Sequence, residues 1–395
     1  MRRAVLALIC LVFAAGVRAD AEEITVKTGV VALEYAPTRP ISRLNEPPED
    51  HGIAGAELGL RDNNTTGRFL KHSYELSVVR AFPEDAVTAI DALIKDGAQF
   101  IVTFARADDL LALAENVKDR DVILLNALAE DDRLRNDACR ANVLHIAPSR
   151  AQLADGLTQY LVWKNWRDWL MIHGSHERDQ LKANAYRRAA KKFGAKIVEE
   201  RIYEDTGGGR VADSGHIQVQ KQMPAFTSRA ADHDIVVAAD ESEVFAGYLA
   251  FRTSDPRPVA GDAGLVARMW HPAHEGWGAT QLQRRFEKHH KRYMTDLDYQ
   301  AWLALRIVGE AVTRAKKKDF RAVVSYLLSP EFEIAGFKGQ PLNFRPWNNQ
   351  LRHGVILADG LGIVSVSPQD AFLHKNTRLD TLGFDEPETS CEFQR

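Results

Sequence analysis

Apolar residues fall along this chain in short dense runs, separated by longer segments in which they return every three or four positions. The runs occupy 24–34, 74–80, 100–104, 122–126, 169–173, 196–203, 235–239 and 259–261, each bounded by turn residues. Between them lie helical patterns at 52–63, 84–96, 108–118, 150–163, 180–193 and 245–251. Strands that alternate with amphipathic helices predict an α/β fold, in which parallel sheets are covered by helices on both faces. The last third changes character. It reads as long amphipathic helices at 280–290 and 297–317 and a shorter one at 320–328. A hairpin-like stretch follows, running out over 332–344, turning at Trp347-Asn348-Asn349 and returning over 351–358. The stretch 205–215, with Gly207, Gly208 and Gly209 in succession, reads as a surface loop.

The first residues set the compartment. Arg2 and Arg3 precede an apolar run over 4–15 that meets small residues and Ala-x-Ala-like sites around Val17, Arg18 and Ala19. That is the layout of a cleaved secretory signal peptide, here residues 1–21, and it implies a periplasmic chain. The run is shorter than the roughly 20 residues a membrane-spanning helix needs, and none like it recurs. Cys10 follows Ile9 inside that run and is removed with it rather than lipidated.

After cleavage near Ala19 or Ala21 about 375 residues remain, enough for two domains at roughly 100 to 200 residues each. Apolar residues make up 45% and charged residues 27%, an ordinary globular balance, and the formal net charge of −3 gives no reason to expect nucleic acid. The basic runs 187–192 and 316–318 read as solvated helix faces. Cys139 and Cys391 survive processing into an oxidising compartment, where two lone thiols are expected to pair as a disulfide.

Catalytic signatures are missing. The triple glycine lacks the Gly-Lys-Ser/Thr ending of a phosphate loop. There is no Gly-x-Ser-x-Gly elbow, so a hydrolase would lack its nucleophile. His173-Gly-Ser-His176 and His271-Pro-Ala-His274 lack the i, i+4 helical pairing of a zinc site and read as packing or hydrogen-bonding histidines. These absences predict that the protein is not an enzyme and carries no cofactor.

Several segments carry a resemblance. They are Gly55-Ala-Glu-Leu-Gly-Leu-Arg-Asp-Asn63, Phe100-Ile-Val-Thr-Phe104, Val122-Ile-Leu-Leu-Asn126 and Phe337-Lys-Gly-Gln-Pro-Leu-Asn-Phe344, in that order. With them the chain resembles type I periplasmic binding proteins, the branched-chain amino acid binding class. More narrowly, Tyr160-Leu-Val-Trp-Lys-Asn-Trp166, Gly215-His-Ile-Gln-Val-Gln220, Ala239-Asp-Glu-Ser-Glu-Val-Phe245, Trp277-Gly-Ala-Thr-Gln-Leu-Gln283, Asp298-Tyr-Gln-Ala-Trp302 and Gln340-Pro-Leu-Asn-Phe-Arg-Pro-Trp347 resemble one subgroup. Its members are ABC-transporter substrate-binding proteins associated with pyrroloquinoline quinone (PQQ)-dependent alcohol dehydrogenase systems. The resemblance implies two doubly wound parallel-sheet lobes joined by a three-crossover hinge, with a small ligand in the interlobe cleft and an ABC permease as partner. On that scheme 22–147 with 268–325 form lobe one, 148–267 with 326–362 form lobe two, and 363–395 form a tail. Loops leaving the carboxyl ends of parallel strands are where such sheets bind ligands.

Amino acid binders of this class hold the ligand carboxylate with hydroxyl residues and backbone amides after the third and fourth strands. The matching loops here read Ala105-Arg-Ala-Asp-Asp109 and Ala127-Leu-Ala-Glu-Asp-Asp132. The resemblance therefore puts Asp108, Asp109, Asn126, Glu130, Ser175, Asp240, Glu241 and Asp262 at the cleft as ligand-binding candidates, with Asp131 and Asp132 beside them. Converging acids repel unless they are solvated, paired with Arg106 or Arg133, or neutralised by a cation. Three readings follow. The first is a solute-binding protein for a small molecule of alcohol or quinone-cofactor metabolism, as the resemblance implies, with a ligand that is cationic or carries a cation if Asp108, Glu130, Asp240 and Asp262 face the cleft. The second is a carrier of a metal cation of calcium or lanthanide type, for which the acids are suitable oxygen ligands although no Asp-x-Asp-x-Asp-Gly loop is present. The third is a sensor or enzyme that reuses the fold.

Overall fold

The computed structural model describes residues 23–36, 46–205, 213–315 and 319–393, without the side chains of 213–218. The leader expected over 1–21, the triple glycine and the basic run 316–318 lie outside the described residues.

The chain starts with a strand whose second half is buried on both faces, β1 (Ile24–Leu33). Helix α1 (Ile53–Gly67) and strand β2 (His72–Ala81) follow, then α2 (Ala86–Lys95), β3 (Phe100–Phe104), α3 (Ala107–Asn116), β4 (Ile123–Asn126) and β5 (Val143–His145). The five strands form one parallel sheet in the order β2-β1-β3-β4-β5. After α4 (Arg150–Trp163) the pattern repeats with β6 (Asp168–Gly174), α5 (Glu177–Phe193), β7 (Lys196–Tyr203), α6 (Asp213–Phe226), β8 (Ile235–Ala239), α7 (Ala246–Arg252) and β9 (Val259–Gly261). These strands form a second parallel sheet, β7-β6-β8-β9. Both orders reverse direction beside their first strand, as in doubly wound sheets, so each sheet has a crevice at the carboxyl ends of its strands.

Short β10 (Val266–Arg268) leads back to the first sheet through α8 (Ala279–His290), α9 (Asp296–Ala315) and α10 (Phe320–Leu327). α9 lies directly on α1, and a Cβ at Gly55 would sit 1.9 Å from the Asp298 carbonyl oxygen, so only glycine allows that approach. The small hairpin β11 (Ile334–Ala335) and β12 (Pro341–Leu342) precedes β13 (Val355–Ala358) and β14 (Ile363–Ser367). The expected hairpin is corrected here. The turn at 345–350 closes with the Phe344–Leu351 bridge, but β13 then leaves its neighbour to pair with β10 and β14 in a separate antiparallel sheet against α4. The loop expected over 205–215 is also corrected, since α6 begins at Asp213.

The chain thus passes between the two parallel sheets at 146–149, 269–278 and 328–354. The passages bond to one another. His145 N–H donates to the Asn349 carbonyl and Leu351 N–H to the His145 carbonyl. The fully buried Arg135 donates to Gln350 Oε1 and to the Ala129 and Ala147 carbonyls.

The C-terminal segment is structured. Asp380 accepts from both Arg345 and Arg352. Arg188 and Lys192 of α5 hold the buried Asp155 of α4 and also reach the Gly383 carbonyl and Glu388. Reading 187–192 as a purely solvated face is corrected accordingly: burial of Asp155 demands these cations. Beyond Glu388, Thr389 Oγ1 donates to the Arg135 carbonyl, and Cys391 forms the expected disulfide with Cys139.

Candidate functional site

The strand-end loops of the two sheets meet at Arg150. Ser149 caps α4 by accepting from Gln152 N–H at 3.1 Å, which fixes the first turn. The adjacent guanidinium reaches both ways. Its Nη1 donates to Asp131 of the β4 loop at 2.9 Å, while Nε and Nη2 donate to the two oxygens of Glu241, after β8, at 2.7 and 2.9 Å. A cation in the first turn of a helix opposes the macrodipole, so its place here is secured by these acids. Burial works against the charged guanidinium, but Glu241, Asp131 and Glu130 outweigh it and raise its pKa.

Beside it, Lys182 of α5 forms a part-buried ion pair with Asp262 of the β9 loop. Burial opposes the ammonium, and Asp262 with Glu241 and Glu130 more than restores it. Burial pushes the Tyr186 phenol of the same helix up. Glu130 lies within electrostatic reach of Glu241, Lys182 and Arg150, but its carboxyl has no hydrogen-bond partner among the described residues. Burial, and then the like charge of Glu241, push its pKa well above the usual carboxylate range.

The expected site residues separate into groups. Glu130, Glu241, Asp262 and the neighbouring Asp131 are brought together. Asp240 stands next to them but turns inward, where its carboxylate accepts from Val244, Phe245 and Ala246 N–H at 2.6 to 2.8 Å and shapes the start of α7. Asn126 is buried and braces the following loop, its Oδ1 accepting from Leu128 and Ala129 N–H. Asp132 accepts from Ala151 N–H at the head of α4. Ser175 accepts from Asp205 N–H. At the switch point of the first sheet, Asp109 accepts a hydrogen bond from the Tyr35 hydroxyl at 2.6 Å, and Asp108, largely exposed, pairs with Arg133.

Of the outcomes open to converging acids, pairing is the one observed, through Arg133 on Asp108 and through cations that the sequence reading did not name. Arg150, Arg178 and Lys182 supply the countercharge from inside the chain, so the acids no longer demand a cationic ligand. Among the described residues no group of three His, Cys, Asp or Glu gathers as a metal set. The sequence reading missed Arg150, Lys182, Tyr186 and Tyr35. The one available signal was Arg150, a cation directly after a Ser cap. His173 bonds the Gly174 carbonyl and Glu200, and His274 bonds the Phe337 carbonyl, so both act in hydrogen bonding.

Residues 51–213 match the family model described as periplasmic binding protein. Nothing among curated protein sequences matches the chain. Solved structures do. A leucine-, isoleucine-, valine-, threonine- and alanine-binding protein from Brucella ovis superposes with a TM-score of 0.70 at 16% identity, covering 94% of this chain and 99% of its own. An ABC transporter substrate-binding protein from Sphaerobacter thermophilus gives 0.71 at 17%, covering 91% and 100%. A solute-binding protein from R. palustris in complex with benzoate gives 0.66 at 11%, covering 93% and 100%. No helix among the described residues is long and apolar enough to cross a membrane. Residues 51–213 thus match the periplasmic binding protein model, and over more than nine-tenths of its length the chain shares the fold of these substrate-binding proteins.

Proposed function

We propose that this chain is the periplasmic ligand-capturing component of an ABC importer, taking a small molecule between the strand-end loops of its two parallel sheets and delivering it to a permease. The observation that carries this reading is Arg150, which joins Asp131 of one sheet to Glu241 of the other. That guanidinium stands beside the passage 146–149, where the strand-end loops of the two sheets face each other, and hinged closure of such loops is how two-part proteins bury a ligand. Lobe one then comprises 22–147 with 268–325 and lobe two 148–267 with 326–362, the leader being removed on export. The named functions of the similar structures, amino acid and benzoate binding, support a small organic ligand. The resemblance to chains associated with PQQ-dependent alcohol oxidation makes a metabolite of that chemistry the first class to try.

Protein purified from the periplasm without refolding tests this. Native mass spectrometry should show a retained small molecule that Arg150→Gln releases. If the wild type retains none, and a broad metabolite panel leaves its melting temperature unchanged, the reading is wrong.

A further inference from the structure

Lys338 is 3% exposed, and its Nζ has no hydrogen-bond partner among the described residues. The amine sits 4.6 Å above the ring of Tyr299, which stacks on Trp270 at 4.9 Å. The backbone that presents it is strained. Phe337 has a φ of 57°, a left-handed conformation costly for a bulky residue, and Gly339 follows at 80° under the Trp277 indole. His274 Nε2 grips the Phe337 carbonyl at 2.8 Å, and Tyr299 donates to the Gly336 carbonyl at 2.7 Å, so neighbouring elements hold the loop in place. The fully buried His353 lies close enough for Lys338 to lower its pKa after burial has done so. Its Nε2 bonds the Ile146 carbonyl, while its Nδ1 has no partner.

Both residues stand where the passages 269–278, 328–354 and 146–149 converge between the sheets. An unpaired buried ammonium costs several kcal/mol, and strain of this sort persists where the surroundings enforce it for a purpose. The acid that acts on Lys338 is Asp296, whose carboxylate is already occupied by the Met269 and Trp270 N–H groups and Arg268.

We infer that Lys338 is a ligand-binding residue whose amine receives the carboxylate of a small organic acid, with Tyr299 and Trp270 walling its apolar body. This rests on the ligand-capture reading above and adds the ligand's charge to it. The carboxylate supplies the missing partner and restores the proton that burial removes from the amine, whose pKa is pushed down to about 7. Glu130 carries much of its own proton near neutrality, which limits its repulsion of an arriving anion.

The test uses the mature chain, with acetate, glycolate, benzoate and 4-hydroxybenzoate each compared with its amide by thermal shift and calorimetry. At least one carboxylate should bind at least tenfold more tightly than its amide. Lys338→Met should weaken that carboxylate a further thirtyfold or more, and Lys338→Arg should recover part of the loss. The melting temperature of ligand-free Lys338→Met should equal or exceed that of the wild type, which shows that the variant folds. Amide binding equal to carboxylate binding, carboxylate binding that survives Lys338→Met, or a retained ligand of positive charge would each overturn the assignment while leaving ligand capture intact. A wild type that binds nothing and retains nothing would sink both.

Discussion

Replacing Asp380 by Asn keeps the side-chain volume and removes one charge from the C-terminal segment. In the wild type this carboxylate, 4% exposed, accepts from Arg345 Nε at 2.8 Å and from Arg352 Nε and Nη2 at 2.8 and 3.1 Å. The substitution leaves both guanidiniums facing a neutral amide. Breaking a buried pair costs about 3 to 5 kcal/mol. The lower end applies here, because Arg345 keeps the Leu379 and Leu382 carbonyls and Arg352 keeps Asn343 and the Phe344 carbonyl. At about 2.1 cal/mol/K of unfolding entropy per residue, a loss of about 3 kcal/mol lowers the melting temperature by roughly 4 °C. Burial alone would raise the Asp380 pKa, but Arg352 and Arg345 hold it below its ordinary 3.8. Its stabilisation is therefore complete above 3.8 and is lost as pH falls through the lower folded value. Urea unfolding should show a constant gap between wild type and variant from pH 8 to pH 5, closing only under strong acid. A gap below about 0.5 kcal/mol at pH 7, or one that disappears by pH 6, would refute the assignment of a buried ionised carboxylate.

Further outcomes follow from the same contacts. Cys391→Ser should lower stability by about 2 to 5 kcal/mol in urea unfolding, with reductant reproducing the loss in the wild type and adding nothing in the variant. Arg150→Gln leaves Asp131 and Glu241 without their shared cation, so X-ray scattering of the ligand-free chain should show a larger radius of gyration. Glu130 has its pKa raised from 4.5 to about 7, so the folded state binds more protons between those values and wild-type stability falls as pH rises through that window. Glu130→Gln should therefore gain on the wild type by roughly 1 to 3 kcal/mol between pH 4.5 and 8, and an unchanged difference would place that carboxylate in water.

Apart from β5 and α6, the strands and helices of the two parallel sheets were legible because each is a dense apolar run or a periodic helix. Three-residue β5 and β10 are too short for any periodicity, and β13 was legible as a strand although its partners were not, since antiparallel pairing with β10 joins residues far apart in sequence. The acids of the candidate site were legible through their loops. Their cations were not, because Arg150 and Lys182 lie far from those acids along the chain, and nothing local distinguishes Lys182 from a solvated helix residue. α4 hid a different fact. Gln152, Asp155, Thr158 and Gln159 give it a polar face, yet all are buried, because the C-terminal segment and β14 cover that face with Gly383 N–H, Thr381, Gln369 and Ser367.

That covering segment has a consequence for the order in which the molecule is made. Its residues are synthesised well after the positions they bind, and the Cys139–Cys391 bond spans 252 residues of sequence. A nascent chain cut short ahead of Asp380 already possesses every strand of both parallel sheets. It still lacks the Gly383 N–H that joins Arg188 and Lys192 on Asp155, the carboxylate for Arg345 and Arg352, and the thiol for Cys139. Such a product is nearly folded and chemically unfinished, with buried charges open to water and a free thiol on show, which are the marks that proteases and disulfide-forming enzymes act upon.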